Sequence, residues 1–469
     1  MVHIDPERAL TSLPEFTRRV MLTRGGAMAA GAGVALVGAA AAVGAGAAYG
    51  ASNANGQSGE TVFNVREFGA AGDGRADDTD KLQKAIDEAR TQGGVVFFPP
   101  GTYLTRRLTM YSRVHLRGSG GDATTLRLKG GANSAIVESD GFAKLTGSRG
   151  DGGITMFSVR DLTLDGNKEQ NPKGGYGLRI YGYGYELTEI VAFNCRNDGV
   201  YSEWGLTGEL PAPSHQMESR LTALRSHDNE GDGIHFNGPH DSMFLNCVSF
   251  QNRGAGFRLA GAGDGTSMVD CHAWGARQNV SFELAAPGVS CMNCYADLDG
   301  GVGVRISRSD CRWLGGLVLG YNHEPPYPEI GIQFVDGVRE TEPAGVVIDT
   351  KIMNCGTAAV DFGSDRGLSS VRAVISQPGV VDHAGKTVAG SGLGWSGRPH
   401  QSTQVEITDG LGNTAKNLVV RPAFDLRAQA NPPAPDAGTV RIFARMVGGR
   451  VQLCAAFPNG AVTPLATEP

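Results

Sequence analysis

Residues 231–238 read GDGIHFNG and set His235 between Ile234 and Phe236, two residues that favour burial. The pattern within this stretch, small–apolar–polar–apolar, recurs. "GIHF" at 233–236 returns as "GFRL" (256–259), "SFEL" (281–284), "GVRI" (303–306), "GIQF" (331–334) and "AVDF" (359–362), and is preceded by "GLRI" (177–180) and "GVYS" (199–202). Alternation with period two is the mark of a strand with one buried face. The first apolar residues follow one another at intervals of 22, 34, 23, 25, 22, 28 and 28. A coil of 22 to 25 residues with occasional insertions returns each strand onto the one before it, as a solenoid requires. Strands that recur in one direction pair in parallel, with right-handed crossovers. Two columns are thereby expected. Leu178, Val200, Ile234, Phe257, Phe282, Val304, Ile332 and Val360 point inward, while Arg179, Tyr201, His235, Arg258, Glu283, Arg305, Gln333 and Asp361 form an outer row. His235 is expected outside, not in the core.

Composition agrees with an all-β repeat. The 469-residue chain holds 69 glycines and is 41% hydrophobic, 19% charged and only 7% aromatic, which suits short strands and tight turns. The net charge of −6, with no Lys/Arg block, argues against a nucleic-acid partner. Of eight cysteines, Cys247, Cys271 and Cys294 recur at intervals of 24 and 23, the period of the repeat rather than of a disulfide framework. Buried thiols are expected. Cys291 and Cys294 form a CxxC without a second pair, which argues against zinc.

Residues 17–26, TRRVMLTRGG, precede a weakly apolar run over 27–48. Arg18 and Arg19 with Met21 and Leu22 resemble a twin-arginine export signal, although Met21 and Thr23 stand where Phe and Lys are usual. Residues 1–54 are therefore expected to be an export signal, with a retained membrane anchor as the alternative. Either way the remainder is expected to work outside the cytoplasm, and a membrane is a partner only if the segment is retained. A linker follows at 55–60, the solenoid at 61–395, and an irregular segment with a Pro-rich linker at 396–438. Residues 439–469 read as a small β-meander that docks on the solenoid or on a partner subunit, so both a monomer and a homotrimer stay open.

Residues 61–104, TVFNVREFGAAGDGRADDTDKLQKAIDEARTQGGVVFFPPGTYL, resemble the entry segment of the pectate-lyase-like right-handed parallel β-helix superfamily, in particular its rhamnogalacturonase and epimerase-like branch. Within it Asp77, Asp78 and Thr79 supply a helix cap and first-turn acids, Leu82, Ala85, Ile86 and Ala89 an apolar stripe, and Gly93 and Gly94 a stop. Such a helix would plug the open end of the solenoid, with "VVFFPPGTYL" as the first strand and turn. "VRDLTLDGN" (159–167) is a second hallmark, and with the repeats the resemblance covers about 61–380. The superfamily holds polysaccharide lyases, glycoside hydrolases, C5-epimerases and phage tailspikes, so the fold alone does not assign a reaction. Of the polygalacturonase-related motifs only "RIS" at Arg305–Ser307 comes near one. Mannuronan epimerases carry Tyr-Gly-Phe-Asp-Pro-His; here the matching rung reads DGVYSE, with Tyr201 and Glu203 where the Asp and His fall. The lysine after that family's "DGN" element has a counterpart in Lys173.

These residues define the candidate chemistry. β-Elimination of a uronide needs a base for the C5 proton and a cation for the developing enediolate. Tyr201 or His235 is the candidate base, and Arg258 or Lys173 the candidate electrophile. Hydrolysis needs two carboxylates, for which Asp198 and Asp232 stand one rung apart; their other reading is an Asp-Gly turn bonded to its own backbone. Arg179, Glu203, Trp204, Glu283 and Arg305 are the candidate substrate-binding groups, with Trp204 and the run Tyr176, Tyr181, Tyr183, Tyr185 as sugar platforms. The loops 204–215 and 321–329 lengthen two coils. No cofactor is required by the sequence; calcium, used by relatives, stays open, with Asp297 and Asp299 its nearest acids. The function expected is an exported enzyme cleaving a uronate-containing polysaccharide as a lyase or a hydrolase. The competing reading is a non-catalytic glycan-binding or structural β-helix, tailspike-like or at the cell surface.

Overall fold

The computed structural model describes residues 60–142, 153–205, 217–275, 277–320, 329–376 and 440–467, with short stretches between the last two. The export segment at 1–54, nearly all of the 55–60 linker, most of the two coil-lengthening loops and most of 396–438 lie outside the described residues. Among the described residues no helix is long and apolar enough to cross a membrane.

The expected register is found residue for residue. Leu178 pairs with Val200, Val200 with Ile234, Ile234 with Phe257, Phe257 with Phe282, Phe282 with Val304, Val304 with Ile332 and Ile332 with Val360, all in parallel. Every residue of this column is at most 1% exposed. The same sheet begins at Leu108–Met110 and ends at Leu393–Ser396. Two further rows of short parallel strands complete each coil, for example Met243–Leu245 with Ser267–Val269, and Val248–Phe250 with His272–Trp274. Between these rows the chain bends at Asn246, Asp270 and Asn293, each with φ of 52° or 53°, a left-handed conformation that Asn and Asp tolerate. The parallel stack continues through Gln404–Asp409, which pairs with Ser370–Ser376 beyond the expected end at 395.

The rings of Phe257 and Phe282 stack at 5.0 Å inside the coil. Phe257→Ala is expected to lower the unfolding free energy by about 3–5 kcal/mol, through lost burial and the cavity left behind. A urea-unfolding series checks this; a change within experimental error would contradict the packing described.

Polar ladders hold the turns that enter the sheet. Asn229 Nδ2 donates to Asn252 Oδ1 at 2.9 Å, and Asn252 Nδ2 to Gln278 Oε1 at 3.3 Å. The hydroxyls of Ser226 and Ser249 donate to the carbonyls of Gly233 and Gly256, each at 2.7 Å. A Cβ on Gly199 or Gly233 would lie 2.1 or 2.0 Å from these same hydroxyls, so glycine is a packing requirement at the opening of these two strands. All eight cysteines are buried and none forms a disulfide, in keeping with the buried thiols expected from the spacing of Cys247, Cys271 and Cys294.

The helix Thr79–Gln92 buries Leu82, Ala85, Ile86 and Ala89. Its capping differs from the expectation. Asp78, at the cap position, makes no capping bond and instead accepts the amides of Ala71 and Gly72, pinning the preceding loop. Asp77 Oδ1 accepts the amide and hydroxyl of Thr79. "VVFF" is not the first strand either, because Val62–Asn64 precedes the helix and pairs in parallel with Gly94–Phe97. At the other end Arg441–Val447, Arg450–Ala456 and Val462–Thr467 form an antiparallel meander around Phe443, Cys454 and Ala456.

Candidate active site on the outer row

Arg179, Tyr201, His235, Arg258, Glu283 and Arg305 stand on successive rungs, in register and on the outer side of the sheet. At the centre of the row the Tyr201 and His235 rings meet edge to face at 5.0 Å. Alternation places them there. Ser202 and Phe236, one residue on, are buried.

His235 is held by the turns that lead into its own strand and its neighbour's. Its Nδ1 lies 3.4 Å from Asp198 Oδ2 and 3.4 Å from Asp232 Oδ2. The other oxygens of both acids accept backbone amides of the following rung, Asp198 Oδ1 from Asp232 at 2.7 Å and Asp232 Oδ1 from Ala255 at 2.6 Å. This corrects the Asp-Gly reading: neither carboxylate closes a turn on its own backbone, because the next coil offers a better-placed donor. With two carboxylates at Nδ1, the imidazole proton is favoured on that nitrogen and Nε2 keeps its lone pair.

Tyr201 donates to Glu203 Oε2 at 2.7 Å and accepts from Asn237 Nδ2 at 3.2 Å. Burial, and then the hydrogen bond to Glu203, push the phenol well above the usual tyrosine range. Tyr201 therefore rests as a proton donor, and of the two candidate bases only His235 suits that role. Asn237 went unnoticed in the sequence. Its signal is two-residue periodicity, which puts it on the outer face directly beside Glu203.

The flanking arginines both pair with acids, Arg179 with a Glu138 that it shares with Arg107. Arg179 pairs with Glu138 at 3.3 Å and lies 4.0 Å over the Phe142 ring. Arg258 Nε meets Asp232 Oδ2 at 2.6 Å, and its other arm meets Glu283 at 2.8 Å. Burial works against the Arg258 charge, but the Asp232 hydrogen bond with the charges around it leaves the group above the ordinary arginine value. Arg258 is thus an anchor for Asp232 rather than a free electrophile. Arg305 Nε donates to Gln333 at 3.4 Å.

Several candidates fall outside the cluster. Lys173 is exposed on the turn before Leu178–Tyr183; its backbone amide bonds Asn133, and among the described residues its ammonium makes no ion pair. Trp204 is buried, edge-on to His240 at 5.2 Å, so it offers no sugar platform. Tyr181, Tyr183 and Tyr185 are buried as well, with the Tyr185 hydroxyl bonded to Ser202 and its ring stacked on Phe157. Tyr176 alone of that run reaches the row, 6.0 Å from Tyr201.

Calcium does not fit these groups. Among the described residues one set of side chains converges as metal ligands would, Asp198, Asp232 and His235, with ligand atoms within 4.8 Å of one another. Calcium requires six to eight oxygens. Here one contact is a ring nitrogen, two carboxylate oxygens are taken by amides, and the Arg258 guanidinium occupies the approach to Asp232. Asp297 faces His272 at 4.0 Å instead.

Residues 62–281 match the family described as rhamnogalacturonase A/epimerase, pectate lyase-like. Over these residues, a little under half of its length, the chain is similar to that pectate-lyase-like family, and its described residues build the parallel β-helix fold. Among curated proteins it is similar to alginate lyase 7 of Azotobacter vinelandii, 31% identical over 42% of this chain and 23% of that protein. It is also similar to mannuronan C5-epimerase AlgE4 of the same organism, 31% identical over 42% of this chain and 36% of the relative. The matched part thus spans about a quarter to a third of these relatives' length. Among solved structures, ORF18 of Geobacillus virus E2 superposes with a TM-score of 0.51 at 15% identity, covering 87% of this chain and 76% of that one, which supports the fold alone.

Proposed function

We propose that the chain is an exported enzyme that acts on a uronate-containing polysaccharide by taking the C5 proton of a uronate unit and eliminating the 4-linked neighbour. The observation that carries this reading is His235, poised between Asp198 and Asp232 beside a protonated Tyr201. In the proposed step His235 Nε2 takes the C5 proton, and the C5–H electron pair forms the C4=C5 double bond. The C4–O4 bond breaks in the same concerted step, so the negative charge passes to the departing O4 and is met there by the Tyr201 proton, in place of the cation that a stepwise route through an enediolate needs. The imidazolium is held by the two aspartates, and Tyr201 is reprotonated from solvent or from His235. The similarity to an alginate lyase and a mannuronan epimerase supports a uronate substrate, because both names concern uronate polymers. Hydrolysis by Asp198 and Asp232 is disfavoured, since both carboxylates are committed to amides, His235 and Arg258.

Incubation with a panel of uronate polymers tests the proposal. It expects the ultraviolet absorbance of an unsaturated uronide to appear with chain scission. New reducing ends without that absorbance would mean hydrolysis, and binding without either would favour the non-catalytic glycan-binding β-helix.

A further inference from the structure

Of the two arginines that flank Tyr201 and His235, Arg258 is spent on Asp232 and Glu283 and Arg179 shares Glu138 with Arg107, so a polyanion lying on the row gains from further counter-charge beside it. The turns that lead into the same strands supply it. Glu230 accepts Lys168 at 3.1 Å, Arg253 at 3.2 Å and Arg277 at 2.8 Å. One carboxylate facing three cations leaves an excess of two positive charges. The Arg277 hydrogen bond above all, with Lys168 and Arg253, holds the Glu230 carboxyl down at about 2, so it stays ionised and the cluster stays assembled.

Exposure separates the roles within the cluster. Lys168 is only 12% exposed and also bonds the Asp228 carbonyl at 2.6 Å, so it anchors the group. Arg253 and Arg277 are 71% and 38% exposed, whereas Asp232 and Glu283 of the neighbouring site are recessed at 8% and 15%. The arginines also sit on the coils that matter. Arg253 precedes Arg258 by five residues and Arg277 precedes Glu283 by six, placing them on the edge of the two rungs that follow His235. Each spends one arm on Glu230, and an arginine fork has further donors matched to a carboxylate.

We infer that Arg253 and Arg277 form an anion subsite that binds a carboxylate of the polymer one or more units away from the reacting uronate. The inference rests on the reading of the substrate as a uronate polymer and deepens it. The test is the double variant Arg253→Ala/Arg277→Ala, assayed on the uronate polymer that the wild type cleaves and on its carboxyl-esterified form. KM on the polymer is expected to rise about 10-fold, the loss of roughly one charge-assisted hydrogen bond, with kcat little changed and the salt dependence of KM weakened. Wild type and variant should converge on the esterified substrate. Arg253→Lys/Arg277→Lys should recover part of the loss, and equal melting temperatures should show that the fold is kept. An unchanged KM in a variant of an active wild type overturns the subsite and leaves the proposed function standing. A wild type that neither binds nor cleaves any uronate polymer overturns both.

Discussion

Replacing His235 with alanine is expected to lower turnover of a uronate polymer by roughly 10²- to 10⁴-fold, the usual contribution of a positioned general base. The loss should fall on kcat rather than KM. The ring lies on the outer row and packs into no part of the apolar column, so the coil is expected to fold without it. What disappears is the acceptor nitrogen and the ring that lies between Asp198 and Asp232. Steady-state kinetics with a circular-dichroism melt decide the matter. Undiminished turnover in a folded variant removes His235 from the chemistry.

Tyr201→Phe is expected to cost about as much, again roughly 10²- to 10⁴-fold, by removing the proton for the leaving oxygen. The substitution keeps the ring, so its edge contacts with Phe142, Tyr176 and His235 survive, and only the hydroxyl shared by Glu203 and Asn237 is lost. The direction of the Tyr201 shift adds a pH test. Burial and Glu203 raise the phenol above its ordinary value of 10.0, so it holds its proton throughout the neutral and mildly alkaline range. Any alkaline fall in activity below pH 10 must therefore belong to another group and should persist in shape in the residual activity of Tyr201→Phe. Disappearance of that limb in the variant would contradict the assignment of Tyr201 as a resting donor.

The columns were legible because a period of two within each strand and a near-constant return between strands leave one register that buries every apolar residue. Ile234 and Phe236 dictated the position of His235, and the structure keeps it. Pairing between rungs was not legible. Whether Arg258 meets a substrate or Asp232 depends on the path of a turn, and the sequence gives turn composition without direction. The Asp-Gly turn, one of the two readings open for Asp198 and Asp232, fails for the same reason: an isolated Asp-Gly favours its own backbone, but a stacked coil presents the amide of the next rung at 2.6 to 2.7 Å. The tyrosines at 181, 183 and 185 and Trp204, candidates for a surface platform, are instead buried, with the Tyr181 hydroxyl on the Gly205 carbonyl, the Tyr185 hydroxyl on Ser202 and the Trp204 ring against His240. Asn237 and the Glu230 cluster were open to the same counting that found His235.

The central claim is that this row removes a proton from carbon, and substitution of deuterium at C5 tests it most directly. With a uronate polymer deuterated at C5, the account predicts a several-fold slower formation of unsaturated product than with the protiated polymer, in wild-type protein under saturating substrate. Equal rates accompanied by new saturated reducing ends, with no loss of label from C5, would contradict it.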